Sequence, residues 1–253
     1  MLDDDLLSSS LEDFFERNLI TEVIQILKSG KEATVCCCRA HANLGGGLLA
    51  AKIYKPIEHR SFKNDQMYRQ RKGYHFGKEM RGGREMRALA NKSDMGRSVQ
   101  LGSWLSYEWE TLHHLFDIGA DTPRPIAQSH SGAAILMQYI GDEQTPAPQL
   151  RTIRPTPQQA NHIYQRICHN IHLLLSHNRV HGDLSPFNIL YWKNEPIIID
   201  FPQSIDPREN PRSYELLSRD IENVWRYCHK FSPQPDPWKF ASRLWSDFLH
   251  ARL

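Results

Sequence analysis

The run His181-Gly182-Asp183-Leu184-Ser185-Pro186-Phe187-Asn188 sets a carboxylate and a carboxamide five residues apart. Asp200 follows twelve residues later, at the end of the apolar stretch PIII. Phosphoryl transfer needs such a set: a carboxylate to meet an acceptor hydroxyl, and hard oxygen ligands to hold Mg²⁺ on nucleotide phosphates. Asp183 suits the first task, Asn188 and Asp200 the second. Positive charge on the triphosphate is a further requirement, and Lys52, within LLAAKIYKP, is the candidate, held by a carboxylate from the following helix. Glu108 is the chosen partner, and Glu110, two residues on and about 200° away around the helix, is the weaker option. The turn Lys28-Ser29-Gly30-Lys31-Glu32-Ala33 supplies a third part. Its glycine lets backbone approach a phosphate, while Ser29 and Lys31 offer polar contacts.

These groups need elements to position them. LEDFFERNLI (11–20) has helical apolar spacing and precedes a strand-like alternation broken at Ser29-Gly30, which reads as strand, turn, strand. After Gly45-Gly46-Gly47, the stretch LLAAKIYKP predicts a third antiparallel strand closed by Pro56. The spacing of Trp104, Leu105, Trp109, Leu112 and Leu115 predicts an amphipathic helix carrying Glu108 and Glu110. AAILMQYIG reads as a buried strand. Thr156 before Pro157 suits an N-cap and first helical position, opening a long helix to about Asn178. A helical portion follows from about Asn210. The chain divides into an acidic helical extension (1–20), a sheet-rich part (21–140) with a basic flexible insertion at 58–100, and a helix-rich part (141–253). A hinge is expected near Met137 to Asp142.

Several residues have plainer readings. His181 is expected to hold the loop by a hydrogen bond rather than act as a base, and Ser185 has no base placed to make it a nucleophile. Arg219-Asp220 reads as a structural ion pair, and Trp225, Trp238 and Trp245 as core. Cys36-Cys37-Cys38 cannot converge on one ion, since adjacent strand residues point to opposite faces, so they read as small apolar residues.

The phrases SGKEATV, AAKIYKP, WLSYEWETL, IGDEQTPAPQL, VHGDLSPFNIL and IIIDFPQ stand in the order and spacing of the RIO kinases and cover nearly the whole chain. The sequence therefore resembles a minimal RIO-family atypical serine/threonine kinase domain. That resemblance implies an α+β fold, bilobal and protein-kinase-like, with an antiparallel-sheet N-lobe and a truncated, mainly helical C-lobe. It implies ATP with Mg²⁺ (Mn²⁺ as the alternative ion) and phosphoryl transfer to a protein serine, including autophosphorylation. It makes Lys52 the phosphate lysine, Glu108 its partner, Asp183 the catalytic aspartate, and Asn188 and Asp200 the metal ligands. Met137, Gln138, Tyr139 and Ile140 would frame the adenine pocket. It also allows an ATPase switch in which Asp200 takes the phosphoryl group.

There are departures from ordinary protein kinases. One glycine replaces a GxGxxG, DFP at 200–202 replaces DFG, no APE-type segment follows, and 53 residues remain after Asp200. Gly182 stands where some RIO members have alanine, an exchange expected to leave the chemistry unchanged. Aminoglycoside and choline kinases share an HGDxxxxN loop, so a small-molecule phosphotransferase is an alternative, though they do not predict SGKEATV or IDFPQ. A nucleotide-dependent RNA-protein assembly module is another.

Composition narrows the setting. Lys and Arg number 31 against 29 Asp and Glu, so net charge makes no case for nucleic acid or membrane. Local charge differs: Arg60 to Arg97 holds 11 Lys/Arg against 4 Asp/Glu, with Tyr68, Tyr74 and Phe76 able to stack on bases. The plain reading is a solvated, mobile insertion; the sharper one is a contact to a ribosomal or other RNA-protein particle. Five cysteines without CxxC spacing fit a reducing compartment. The acidic amino terminus is no signal peptide, and no stretch reaches the roughly 18 to 20 apolar residues of a membrane span. A soluble, cytoplasmic protein is expected.

Overall fold

The computed structural model describes residues 4–55, 74–75, 78–79 and 107–253. The basic stretch Arg60–Arg97 lies outside the described residues, apart from a short hairpin of β4 (Tyr74–His75) and β5 (Lys78–Glu79). Two compact units divide the chain. The first runs to Glu110 and adds Arg124–Tyr139; the second holds Thr111–Pro123 and Ile140–Leu253.

The first unit is built on a five-stranded antiparallel sheet. Its order is β1 (Ile20–Ser29), β2 (Ala33–Ala40), β3 (Leu48–Tyr54), β7 (Ala134–Gln138), β6 (Pro125–Gln128). Strand β2 is buried on both faces. Cys36 and Cys38 join Ile20, Ala51, Ile53 and Leu136 on one side, while Cys37 meets Ala50 and Tyr139 on the other. Burial pushes the Cys36 thiol up to about 11 and the Cys38 thiol up to about 12, so both stay protonated and inert. No cluster of three His, Cys, Asp or Glu suited to a metal occurs among the described residues.

Helix α1 (Asp4–Glu16) is longer than the apolar spacing predicts. It belongs to this core, where Leu11 and Phe14 are fully buried. Asp13 ties it down, accepting from Arg17 at 3.0 Å and from the His130 amide at 3.2 Å. The edge strand β1 carries register shifts at three places, which twist and break its free edge against further pairing.

In the second unit, helix α3 (Pro157–Ser176) starts where the sequence predicts. Gln159 N–H donates to Thr156 Oγ1 at 3.3 Å while the Thr156 amide donates to Gln159 Oε1 at 3.0 Å, a reciprocal capping box. Strands β8 (Ile189–Trp192) and β9 (Glu195–Ile198) form a tight hairpin whose turn residues, Lys193 and Asn194, both take positive φ. Helices α4 (Ser213–Cys228) and α5 (Pro237–Leu249) follow. The expected tryptophan core is corrected: Trp238 is 55% exposed, and Trp225 and Trp245 are half-buried. No described helix is long and apolar enough to cross a membrane.

Candidate active site

In the first unit, Lys52 sits in mid-sheet on β3, paired in register with Val35 on one side and Ile135 on the other. Its Nζ donates to Glu108 Oε1 at 2.6 Å. Glu108 is buried on helix α2, whose described residues are 107–117, so its carboxylate must be paired. Tyr54 completes the pairing: its hydroxyl donates to Glu108 Oε2, and Lys52 Nζ lies 5.2 Å from the centre of its ring. Glu110 is exposed.

Tyr54 was missed in the sequence reading although strand alternation could have found it, because residues two apart share a face. Lys55 was missed as well. Its Nζ donates to the Gly30 carbonyl at 2.7 Å and lies 3.4 Å from Ser29 Oγ, bracing the β1–β2 turn. Ser29 Oγ also lies 3.2 Å from Thr34 Oγ1, and Lys31 is exposed. Gly30 has an ordinary φ, and an added Cβ would meet only the Ala33 carbonyl at 3.5 Å. The fold itself makes no demand for glycine there; the open space it leaves suits a close external ligand.

At the end of β7, Met137 is half-buried opposite Ala50, Gln138 is exposed, and Tyr139 is buried. The Gln138 amide donates to the Arg124 carbonyl at 2.8 Å. Ile140, buried in the second unit, accepts from the Ala147 amide at 2.9 Å.

In the second unit, the loop after Val180 is held almost entirely by its backbone. Asp220 of α4 accepts from the Gly182 amide at 2.8 Å and the Leu184 amide at 2.9 Å. Asn223 Nδ2 donates to the Leu184 carbonyl at 3.0 Å, and Arg219 donates to the Gly182 carbonyl. The expected Arg219–Asp220 ion pair is thus corrected: each side chain is directed to the loop backbone instead. Gly182 has φ +79°, and a Cβ there would come within 2.5 Å of the Gln203 carbonyl oxygen. Alanine is therefore not a neutral exchange for glycine in this chain.

His181 plays the structural part expected of it. The Asp183 amide donates to its Nδ1 at 3.3 Å, which leaves Nε2 to carry the proton and donate to the Ile199 carbonyl at 3.2 Å. Its ring lies 5.1 Å from that of buried Phe201.

Asp183 and Asn188 are brought together. Asn188 Nδ2 donates to the Asp183 carbonyl at 2.9 Å and to Asp183 Oδ2 at 3.2 Å. Burial raises the Asp183 carboxyl above the usual carboxylate range, and the Asp200 charge adds to this, against Arg219 and the Asn188 amide. Asp200 is set beside Asn188 by hairpin register: Ile189 faces Ile198, and the Ile199 amide donates to the Asn188 carbonyl at 3.0 Å. Asp200 is exposed and takes φ +73°, a left-handed conformation that Asp tolerates better than most residues.

The donor set fits a hard divalent ion. Buried Asn188 offers a neutral amide oxygen and exposed Asp200, its neighbour through the hairpin register, a carboxylate, the hard oxygen donors such an ion takes.

Comparison with known proteins bears on the whole arrangement. The RIO domain family matches residues 38–239. The serine/threonine-protein kinase rio1 of Schizosaccharomyces pombe is 31% identical over 221 residues, covering 84% of this chain and 39% of that protein. The serine/threonine-protein kinase RIO1 of Homo sapiens is 30% identical over 216 residues, covering 82% and 33%. The RIO-type serine/threonine-protein kinase Rio1 of Methanocaldococcus jannaschii is 28% identical over 212 residues, covering 83% and 64%. The chain thus spans less than two thirds of the length of each of these relatives. Since the family match runs from Cys38 in β2 to Lys239 in α5 and takes in Lys52, Glu108, Asp183, Asn188 and Asp200, the chain belongs to the RIO domain family.

Proposed function

We propose that this chain is an ATP-dependent serine/threonine protein kinase of the RIO type, transferring the γ-phosphoryl group to a protein serine, its own included. The observation that carries the reading is Asp183: a half-buried carboxylate raised in pKa, oriented by the Asn188 amide and in no ion pair among the described residues. A carboxylate of raised pKa is a better proton acceptor for a serine hydroxyl. In the transfer, the serine oxygen bonds to the γ-phosphorus, the bond to the β-phosphate oxygen breaks, ADP leaves, and the hydroxyl proton passes to Asp183.

Lys52, kept in place by Glu108 and Tyr54, neutralises the triphosphate, and Ser29, Gly30 and Lys31 approach the phosphates from the β1–β2 turn. Met137, Gln138, Tyr139 and Ile140 line the adenine. Asn188 Oδ1 and the Asp200 carboxylate hold Mg²⁺, or Mn²⁺ in its place. When bound, the ion offsets the negative charge of the phosphates. Residues 21–140 serve as the nucleotide lobe and 141–253 as the lobe carrying the Asp183 loop, after an extension at 1–20. The working compartment is the cytoplasm, with Arg60–Arg97 as the contact to a ribosomal or other RNA-protein particle. Membership of the RIO domain family disfavours the small-molecule alternative.

A second reading, an ATPase switch in which Asp200 takes the phosphoryl group, is favoured by the exposure of that carboxylate. Incubation with labelled ATP separates the two. The kinase reading expects acid-stable phosphoserine, reduced about a thousandfold in rate by Asp183→Asn. A hydroxylamine-sensitive acyl phosphate lost in Asp200→Ala marks the switch, and no labelled product of either kind overturns both.

A further inference from the structure

Beside the Asp183 loop, the second unit has a cleft of about 370 Å³ that no role above uses. One wall is formed by Arg151, Ile153 and Arg154, the floor by Pro186 and Phe187, and the other wall by the carboxyl-terminal half of α4 with the residues to Phe231. Hydrogen bonds knit these walls to the loop. The Arg151 amide donates to the Pro186 carbonyl at 3.1 Å, Gln149 Nε2 to the Phe187 carbonyl at 2.7 Å, and Tyr227 Oη to the Ile153 carbonyl at 3.0 Å. Asn223, which also lines the cleft, holds the Leu184 carbonyl. The floor therefore belongs to the same short loop that carries Asp183 and Asn188.

The lining is one-signed. Arg151, Arg154, Arg226 and Lys230 bring four positive charges, and no lining residue is acidic. Only Arg226 is answered, by Glu222 one helical turn before it at 2.7 Å. Arg151, Arg154 and Lys230 make no ion pair among the described residues and are exposed. Such a concentration of unanswered cations in a concave site focuses a positive field and favours anionic ligands.

The geometry points to this cleft as the docking site for an acidic polypeptide segment flanking the phosphate acceptor. The inference rests on the kinase reading above, whose substrate class it names. Guanidinium forks match carboxylates in a bidentate fashion, and Pro186 with Phe187, 57% exposed, gives an apolar floor for the side chains between them. A nucleic acid is the poorer fit. One face of Phe187 is already covered by the Arg151 guanidinium at 4.8 Å, leaving less of the ring for a base to stack upon.

The test is direct binding, without nucleotide, of a fluorescent peptide holding one serine among aspartates and glutamates. Affinity should fall about tenfold in the double variant Arg154→Glu with Lys230→Glu, and should weaken with added salt. A lysine-rich version of the peptide should bind the charge-reversed variant better than the parent protein, a gain that misfolding would not produce. ATP turnover without peptide should be unchanged in that variant. Equal affinity for a peptide with Asn and Gln in place of the acids, or unchanged binding by the double variant, overturns the proposal. So does an RNA oligonucleotide that displaces the peptide and binds more tightly through the same two side chains. If the acidic peptide binds as expected but neither it nor the chain is phosphorylated, docking stands and the kinase reading falls.

Discussion

Two buried carboxylates, one in each unit, are satisfied in opposite ways. Glu108 is met by side chains, the Lys52 ammonium and the Tyr54 hydroxyl, both standing on β3. Asp220 is met by backbone, the amides of Gly182 and Leu184. The difference separates two kinds of positioning. In the first unit Lys52, the group that the kinase reading assigns to the phosphates, is itself part of the clamp, so in that reading position and function cannot be changed apart. In the second the clamp grips the loop by its peptide groups, with Arg219 and Asn223 adding two more such contacts. The side chains of Asp183 and Asn188 are thereby left largely to each other.

The largest effect that tests this contrast is expected at Asp220. Replacement by alanine strands two buried amides without acceptors, each a substantial penalty, and should lower the stability of the protein by about 3 kcal/mol. Urea denaturation measures it, and in the kinase reading turnover should fall in parallel as the loop loosens. pH offers a finer reading. Burial pushes the Asp220 carboxyl up to about 7, against the two amides and Arg219, from 3.8. A folded-state pKa above the unfolded one means that the native state binds the proton more tightly between those values. The contribution is therefore complete below about pH 4 and is lost as pH rises toward 7, with a limiting slope of about 1.4 kcal/mol per pH unit. The stability of the protein relative to its Asp220→Asn variant should be greater at pH 5 than at pH 8. A difference independent of pH would remove this carboxyl from the titration.

The same contrast explains what was legible in the sequence. Lys52 and Glu108 lie 56 residues apart, yet their residue types and the elements carrying them announce a pair. Asp183, Asn188 and Asp200 stand in one local pattern, and Thr156-Pro157 marks the start of α3. Asp220 gave no such signal. Its partners are peptide groups some 36 to 38 residues away, which no residue type encodes, and the adjacent Arg219 invited a local ion pair instead. Strand β6 was likewise unforeseen, because four residues beginning with proline are too few to show alternation. Trp238 was assigned to the core by its size, whereas its place in the first turn of α5 exposes it.

A smaller effect is expected at Gly182, where the loop backbone comes within a Cβ's reach of Gln203. Alanine must hold φ near +79° and displace a carbonyl oxygen at 2.5 Å. Gly182→Ala should cost about 2 kcal/mol, read as a lower urea midpoint, with a matching fall in turnover. Unchanged stability would mean that residues 203 and 182 move apart freely, and that the loop is less firmly gripped than its hydrogen bonds indicate.

The smallest effect belongs to the side-chain clamp, at Tyr54. Phenylalanine keeps the buried ring and its contact with Lys52 but removes the hydroxyl that donates to Glu108 Oε2. Glu108 keeps its bond to Lys52 at 2.6 Å, so its charge stays neutralised and the loss is one hydrogen bond, about 1 kcal/mol. What changes is the freedom of the carboxylate to swing about that remaining contact, and Lys52 with it. In the kinase reading this should appear as about a fivefold fall in kcat/KM for ATP, carried mainly by KM, with a Tm lower by only about 2 to 4 °C. Glu110→Gln is the fitting control, because that side chain is exposed on the same helix and should change neither quantity. A Tyr54→Phe protein that loses stability but keeps its KM for ATP would make Tyr54 a core residue only. The first unit would then hold its lysine by Glu108 alone, and the contrast with the doubly gripped loop of the second unit would grow sharper.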